Sequence, residues 1–191
     1  MIVSDFIATL QREAAAGERR GAPPVDRWNP PFCGDSFIEI LTDGTWRHEG
    51  VRMTRESLVR LFASILRKDA DEVTYLVTPV EKVSVKVADA PFVAVRADRE
   101  GQARDQVIAF TTNVGDVAAA GPDNPIRVAE RGGEPRPYVL VRGRLEARIL
   151  RAPFYELVAW AQEEDTPEGP RLGVWSQGVF FPLGAVGAHL Q

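Results

Sequence analysis

Two periods run through this chain. Over residues 82–87 the letters KVSVKV alternate polar and apolar, the two-residue period of a strand with one covered face. Over 54–68, TRESLVRLFASILRK spaces Leu58, Leu61, Phe62, Ile65 and Leu66 three and four apart. That spacing predicts an amphipathic helix, with Thr54 as its cap and Glu56 in its first turn. A second helix is predicted over 152–164, APFYELVAWAQEE, with Pro153 in the first turn and Phe154, Leu157, Val158 and Ala161 along one face. Further strands are predicted over 37–41, 75–80, 92–98, 106–112, 125–130 and 138–149. Asp43-Gly44 supplies a hairpin turn that returns through 45–50, and 172–175 and 179–183 form a closing hairpin around Ser176, Gln177 and Gly178. Ahead of these, Ser4 can cap a short helix with Ile7, Leu10 and Ala14 on one face and Gly17 at its end. The connector 18–35 that follows holds Pro23, Pro24, Pro30 and Pro31, so an extended path is expected there, with Trp28 as an anchor onto the domain.

The pattern repeats. Shifted by 96 positions, the stripe Leu58, Leu61, Phe62, Ile65 falls on Phe154, Leu157, Val158, Ala161. Arg52 and Arg55 fall on Arg148 and Arg151, and Leu76 and Val83 on Leu172 and Val179. Residues 52–87 carry eight identities over 36 positions with 148–183. Amphipathic periods alone produce some of this agreement, because helix and strand spacings recur without common ancestry. The expected class is α+β: two related domains from an internal duplication, each an antiparallel sheet or partial barrel covered by one helix. The expected division is 1–22 for the N-terminal helix and the start of the Pro-rich linker, 23–83 for the first repeat and 84–191 for a second, larger one.

Composition narrows the functions. With 191 residues, 45% hydrophobic and 26% charged, the chain is globular, and a net charge of -4 argues against binding nucleic acid polymer by bulk electrostatics. One cysteine, Cys33, and two histidines, His48 and His189, give neither a disulfide nor a zinc-ligand spacing, so no metal or other cofactor is expected. Cys33 reads as a packed thiol. The first residues, MIVSDFIATLQREAAAG, read as neither a signal peptide nor a membrane span, and a cytoplasmic location is the expectation. Nucleophile elbows, phosphate-binding loops and metalloprotease motifs do not occur.

Several separated blocks, CGD at 33–35, DGTW at 43–46, TPVEKVSVKVADAPF at 78–92, TTN at 111–113 and RGRLEARILR at 142–151, together resemble a bacterial family known only as a domain of unknown function. The resemblance runs from about Trp28 to Phe154. It implies a domain duplication, a second domain loosely similar to pleckstrin-homology-like barrels, a ligand site at the interface of the two domains, and a signal-transduction role with a nucleotide-like small ligand.

Candidate residues follow from period and charge. In KVSVKV the valines face inward and Lys82, Ser84 and Lys86 outward; in RGRLEARI, Leu145, Ala147 and Ile149 face inward and Arg142, Arg144, Glu146 and Arg148 outward. Adjoining polar faces of this kind make a basic surface fit for phosphate or carboxylate, and equally a solvated face of cross-strand ion pairs. Arg55 and Arg151, one before each helix, are candidates to clamp a ligand or to pair with a carboxylate of their own unit. Glu81 and Asp89 bracket the KVSVKV strand and suit ribose hydroxyls, base catalysis or a turn cap. Asn113 suits a base edge or its own loop.

The reading favoured is a non-catalytic ligand-binding protein in signal transduction, holding a small anionic or nucleotide-like ligand on Arg55, Glu81, Lys82, Asp89, Asn113, Arg142, Arg144 and Arg151. Two other classes compete. One is a phosphoester hydrolase or transferase using Glu81 or Asp89. The other is a protein interaction module, as a homodimer or with a signalling partner, through Trp175 or Phe180.

Overall fold

A computed structural model describes residues 23–185, so the helix expected over 4–17 and His189 lie outside the described residues. The chain divides into two compact units after Asp89. The division falls beyond the expected position, 83, because Lys82–Val87 forms one unbroken strand paired on both sides within the first unit.

Among the described residues, the first unit has a six-stranded sheet and one helix. Its strands are β1 (Phe32–Ile40), β2 (Trp46–His48), β3 (Val51–Arg52), β4 (Leu66–Lys68), β5 (Thr74–Val77) and β6 (Lys82–Val87), with helix α1 (Glu56–Ser64) between β3 and β4. The order across the sheet is β3-β2-β1-β6-β5-β4. All neighbours are antiparallel except β1 and β6, which run parallel. Ile38, Ile40, Trp46, Phe62, Leu66 and Leu76 are its buried apolar centre. Part of the connector takes regular form: Val25–Arg27 is a 3-10 turn, and β1 begins at Phe32, ahead of the expected 37. Arg67 ties this segment down, donating from Nη1 to the carbonyls of Val25 and Trp28 at 2.8 and 2.6 Å.

Among the described residues, the second unit has a six-stranded sheet, a three-stranded sheet and one helix. The large sheet contains β7 (Phe92–Glu100), β8 (Val107–Thr112), β9 (Val117–Ala119), β10 (Ile126–Arg131), β11 (Glu134–Arg142) and β12 (Leu145–Ile149). Helix α2 (Arg151–Trp160) follows, then β13 (Gln162–Thr166), β14 (Gly169–Ser176) and β15 (Val179–Ala185). The large sheet runs β10-β11-β12-β7-β8-β9, again with one parallel pair, β12 and β7. Helix α2 lies against β7 and β14. Phe92, Ile108, Phe110, Leu145 and Leu157 are fully or almost fully buried. Ser176 stitches the two sheets, accepting from the Ile108 N–H at 2.9 Å and donating to the Ala120 carbonyl at 2.6 Å.

The α+β class and the two-domain organisation stand, but neither large sheet is purely antiparallel. Both helices are shorter than expected, for one reason. Residues 66–68 and 162–166 continue the helical spacing on paper yet pair as strands, with β5 and β14. Strand pairing outweighs local helix propensity here. Neither helix has a side-chain cap: Arg55, rather than Thr54, is the N-cap of α1, and Leu150 that of α2. Each helix follows a hairpin and leads into a three-stranded antiparallel meander, in matching order, while the sheets those meanders join differ.

Candidate functional site: an arginine-lined cleft in the second unit

A concavity of the second unit arises where two neighbouring strands part. The turn joining β10 to β11 is Gly132-Gly133, both with positive φ (65° and 79°), a backbone region glycine enters without steric cost. Along β11 the Leu140 N–H donates to Pro125, at the start of β10. Even-numbered residues of β11 therefore direct their backbone groups to β10, and odd-numbered ones to β12. Pro135 and Pro137 are odd-numbered, so the side of β11 facing β12 has no N–H to offer at those positions. The ladder with β12 ends at Tyr138 opposite Arg148. Beyond it the chain leaves the ladder with β11: the Leu150 N–H donates to Ala94 of β7 at 3.1 Å, and α2 begins at Arg151.

The gap left between the proline end of β11 and the start of α2 is a cleft of about 940 Å³. Arg136, Arg148 and Arg151 line it together with Glu134, and Pro135, Pro137 and Phe154 give it apolar walls. Arg136 is the diagonal neighbour of Arg148 on one face of the sheet, close enough for long side chains to address one ligand. The start of α2 adds positive potential. Leu150 cannot cap, the first turn holds no acidic residue, and Pro153 has no N–H. The Arg151 and Ala152 N–H groups have no acceptor among the described residues. An uncapped helix start carries roughly half a positive charge and attracts anions. Among the described residues the lining includes no Ser, Thr, Tyr, His or Cys; it offers hydrogen-bond donors and one carboxylate.

The family models cover nearly all of the described chain. The N-terminal domain of DUF1285, a domain of unknown function, matches residues 23–90, and the C-terminal domain of the same family matches 91–183. A crystal structure of a DUF1285 family protein from Silicibacter pomeroyi DSS-3 is 50% identical, covers 93% of this chain and 95% of its own, and superposes with a TM-score of 0.84. The chain belongs to the DUF1285 family. A second DUF1285 structure, from Shewanella baltica OS155, is 27% identical over 65% of this chain and 91% of its own, with a TM-score of 0.52. No curated protein matches.

In this DUF1285 chain the eight candidate residues fall in different places. Arg55 is exposed, its Nε donating to Ser57 at 3.3 Å. Glu81 is buried to 8% exposure, and its backbone closes a turn in which the Thr78 N–H and hydroxyl both donate to its carbonyl. Lys82 pairs with Asp69 at 2.8 Å and lies over the Tyr75 ring. That pairing joins the Arg67 salt bridge to Asp69; the Arg67 hydrogen bond first, with Lys82 adding to it, holds the Asp69 carboxyl below its ordinary range against the opposing effect of burial. Asp89 closes the first unit and is half-buried. Asn113 ties its own loop: its Oδ1 accepts from the Val93 N–H at 3.1 Å, and its N–H donates to the Val93 carbonyl at 2.9 Å. Arg142 pairs with Asp116 and lies 5.1 Å over the Phe92 ring. Arg144 occupies the turn between β11 and β12, off the strand face where alternation puts it. Of the eight, Arg151 lines the cleft.

The two basic strand faces belong to separate sheets, and much of their charge is matched. Lys86 pairs with Glu39 at 2.8 Å, and Arg127 meets Glu146 through two 2.5 Å contacts. Cys33 is exposed, against the expectation of a packed thiol, because the bulged start of β1 turns it outward. The expectation missed Arg136. Its signal was the alternation PRP beside a Gly-Gly turn, which marks a strand whose ladder must stop on one side.

Proposed function

We propose that this protein is a non-catalytic ligand-binding protein acting in signal transduction, and that it takes a small anionic, nucleotide-type ligand on the arginines of its second domain. The observation that carries the reading is the grouping of Arg136, Arg148 and Arg151 at an uncapped helix start within one cleft. Guanidinium groups offer planar, paired donors that match phosphate and carboxylate oxygens. The volume of about 940 Å³ lies within the range of small-molecule sites. An internal duplication belongs to the same proposal, supported by the recurrence of hairpin, helix and meander in one order at a spacing of 96 residues.

The test is a thermal-shift screen against nucleotides, dinucleotide second messengers and simple phosphates at low and moderate salt. A ligand confined to the folded state raises its stability by about 2.7 kcal/mol at a hundredfold excess over Kd. We expect a salt-sensitive rise in Tm with a phosphorylated compound that disappears in Arg151→Ala. A flat response across the panel, or one that Arg151→Ala leaves intact, counts against the site.

A further inference from the structure

Among the described residues β3 is an outermost strand of the first unit's sheet, paired on one side with β2. The turn between them, Glu49-Gly50, has positive φ at both residues (49° and 79°), the pair that suits a tight hairpin. The Met53 N–H donates to the Trp46 carbonyl at 2.9 Å, so Trp46 and Met53 are a hydrogen-bonded pair. The adjoining pair, Arg47 opposite Arg52, is then of the other kind. Its side chains stand closest together, and the backbone N–H and carbonyl of Arg52 point away from β2. Like charges placed directly opposite destabilise a strand pair. Both arginines are exposed, and among the described residues neither forms an ion pair or a side-chain hydrogen bond. Nearby carboxylates are engaged elsewhere. Glu39, across from Arg47 on β1, pairs with Lys86 at 2.8 Å, and Asp43 accepts from the Thr45 N–H and hydroxyl at 2.9 and 3.0 Å. Glu49, in the turn, is exposed and forms no ion pair. The row across the sheet reads Arg52, Arg47, Glu39, Lys86, three cations to one anion. A charge on an edge strand guards against aggregation, and Arg52 fits that duty. Arg47 stands one strand in, where no guard is needed. On the opposite face of β3, Val51 is 71% exposed.

We propose that β3 is a docking edge for an extended acidic segment of a partner protein, added to the sheet as a further strand. The segment's backbone bonds the outward N–H and carbonyl of Arg52, and a carboxylate opposite Arg52 reaches both guanidiniums. The adjoining residue of the segment is apolar and covers Val51. Charge and period together choose this occupant: acid is wanted on the arginine face and apolar surface on the valine face, an alternation that only an extended strand presents. A second copy of this chain, laid β3 against β3, would bring further arginines to a pair that already repels. The surface belongs to the first unit and does not depend on the cleft of the second.

Fluorescence anisotropy of a labelled peptide of alternating valine and glutamate, titrated with the full chain, tests this. Binding should weaken with salt and fall about tenfold or more in Arg52→Ala and in Arg47→Ala. N-methylating the glutamates removes the backbone donors aimed at β3 and should weaken binding by about tenfold. N-methylating the valines, whose N–H groups point away from β3, should leave it unchanged. Arg52→Glu should raise the Tm of the free protein, since it replaces a repelling pair with an attracting one, and should abolish binding. Loss of binding is thereby separated from loss of fold. A peptide of the same composition with its glutamates in one block, or tripolyphosphate, competing as well as the alternating peptide would overturn the proposal, because charge alone would then suffice. Equal effects of the two N-methylations, unchanged binding in Arg52→Ala, or no binding at all would overturn it as well. Sedimentation equilibrium of the free chain covers the remaining occupant: a dimer that Arg52→Glu dissolves would assign β3 to a second copy and sink the partner-segment reading.

Discussion

Tyr75 carries a hydroxyl with one strong partner: it donates to Asp71 Oδ2 at 2.7 Å, while Lys82 lies 4.4 Å from its ring centroid. The hydrogen bond to Asp71, ahead of burial, pushes the phenol up to about 12, and the same bond holds the Asp71 carboxyl below its ordinary range. The folded state therefore keeps a proton that the unfolded chain releases near pH 10. The stabilisation is complete below that value and is lost as pH rises from about 10 through about 12. Ultraviolet titration of phenolate absorbance should find a tyrosine ionising near pH 12, and Asp71→Asn should return it toward pH 10. An unaltered titration in Asp71→Asn would break the assignment. None of this was legible in the sequence. Asp71 and Tyr75 read there as turn and strand letters, and only the tight return between β4 and β5 brings them together. The cleft was half-legible for a similar reason. Arg148 and Arg151 stand before a helix in plain view, whereas Arg136 joins them through a strand pairing that alternation cannot supply.

Elements were more legible than contacts. KVSVKV is β6 to the residue, the closing hairpin turns at Gln177-Gly178 as expected, and both helices begin within two residues of the expected start. What failed were ends, where pairing partners far along the chain decide the outcome. β14 offers a test of how tightly such partners fit. A Cβ built on Gly173 would come within 2.4 Å of the Phe181 carbonyl oxygen and 2.5 Å of the Phe180 ring. The carbonyl belongs to the paired strand and cannot yield without breaking the hairpin's register. Gly173→Ala should cost about 1–3 kcal/mol by overpacking, a drop in Tm on the order of 10 °C for a unit of about 100 residues. A variant that melts with wild type would mean that β15 moves freely, contrary to its packing against β14. Gly178→Ala makes a useful companion, since no atom lies within 4 Å of its added methyl and only the strain of φ 73° is incurred.

At the scale of the molecule, both halves contain a switch without slack. α1 ends at Ser64 and β4 starts at Leu66; α2 ends at Trp160 and β13 starts at Gln162. A single residue, Ile65 or Ala161, joins each helix to the next strand. Elsewhere in the chain a loop can absorb an extra residue at small entropic cost. Here any change of length passes straight into the strand, and parity decides its effect. One inserted residue after Ala161 would turn every side chain of β13 to the opposite face, whereas two would restore the facing and shift only the pairing. Thermal melts of one- and two-glycine insertions should thus be out of length order, the shorter insertion being the more harmful. A steady decline with length would show that β13 adds little to the fold. The further strands of the second unit lie upstream of α2, where turns can lengthen, and the segment from the hairpin arginines to the last strand has a matching order in both. At an offset of 96 residues each junction falls on the other, Ile65 on Ala161, and the strand after each begins at the matching position.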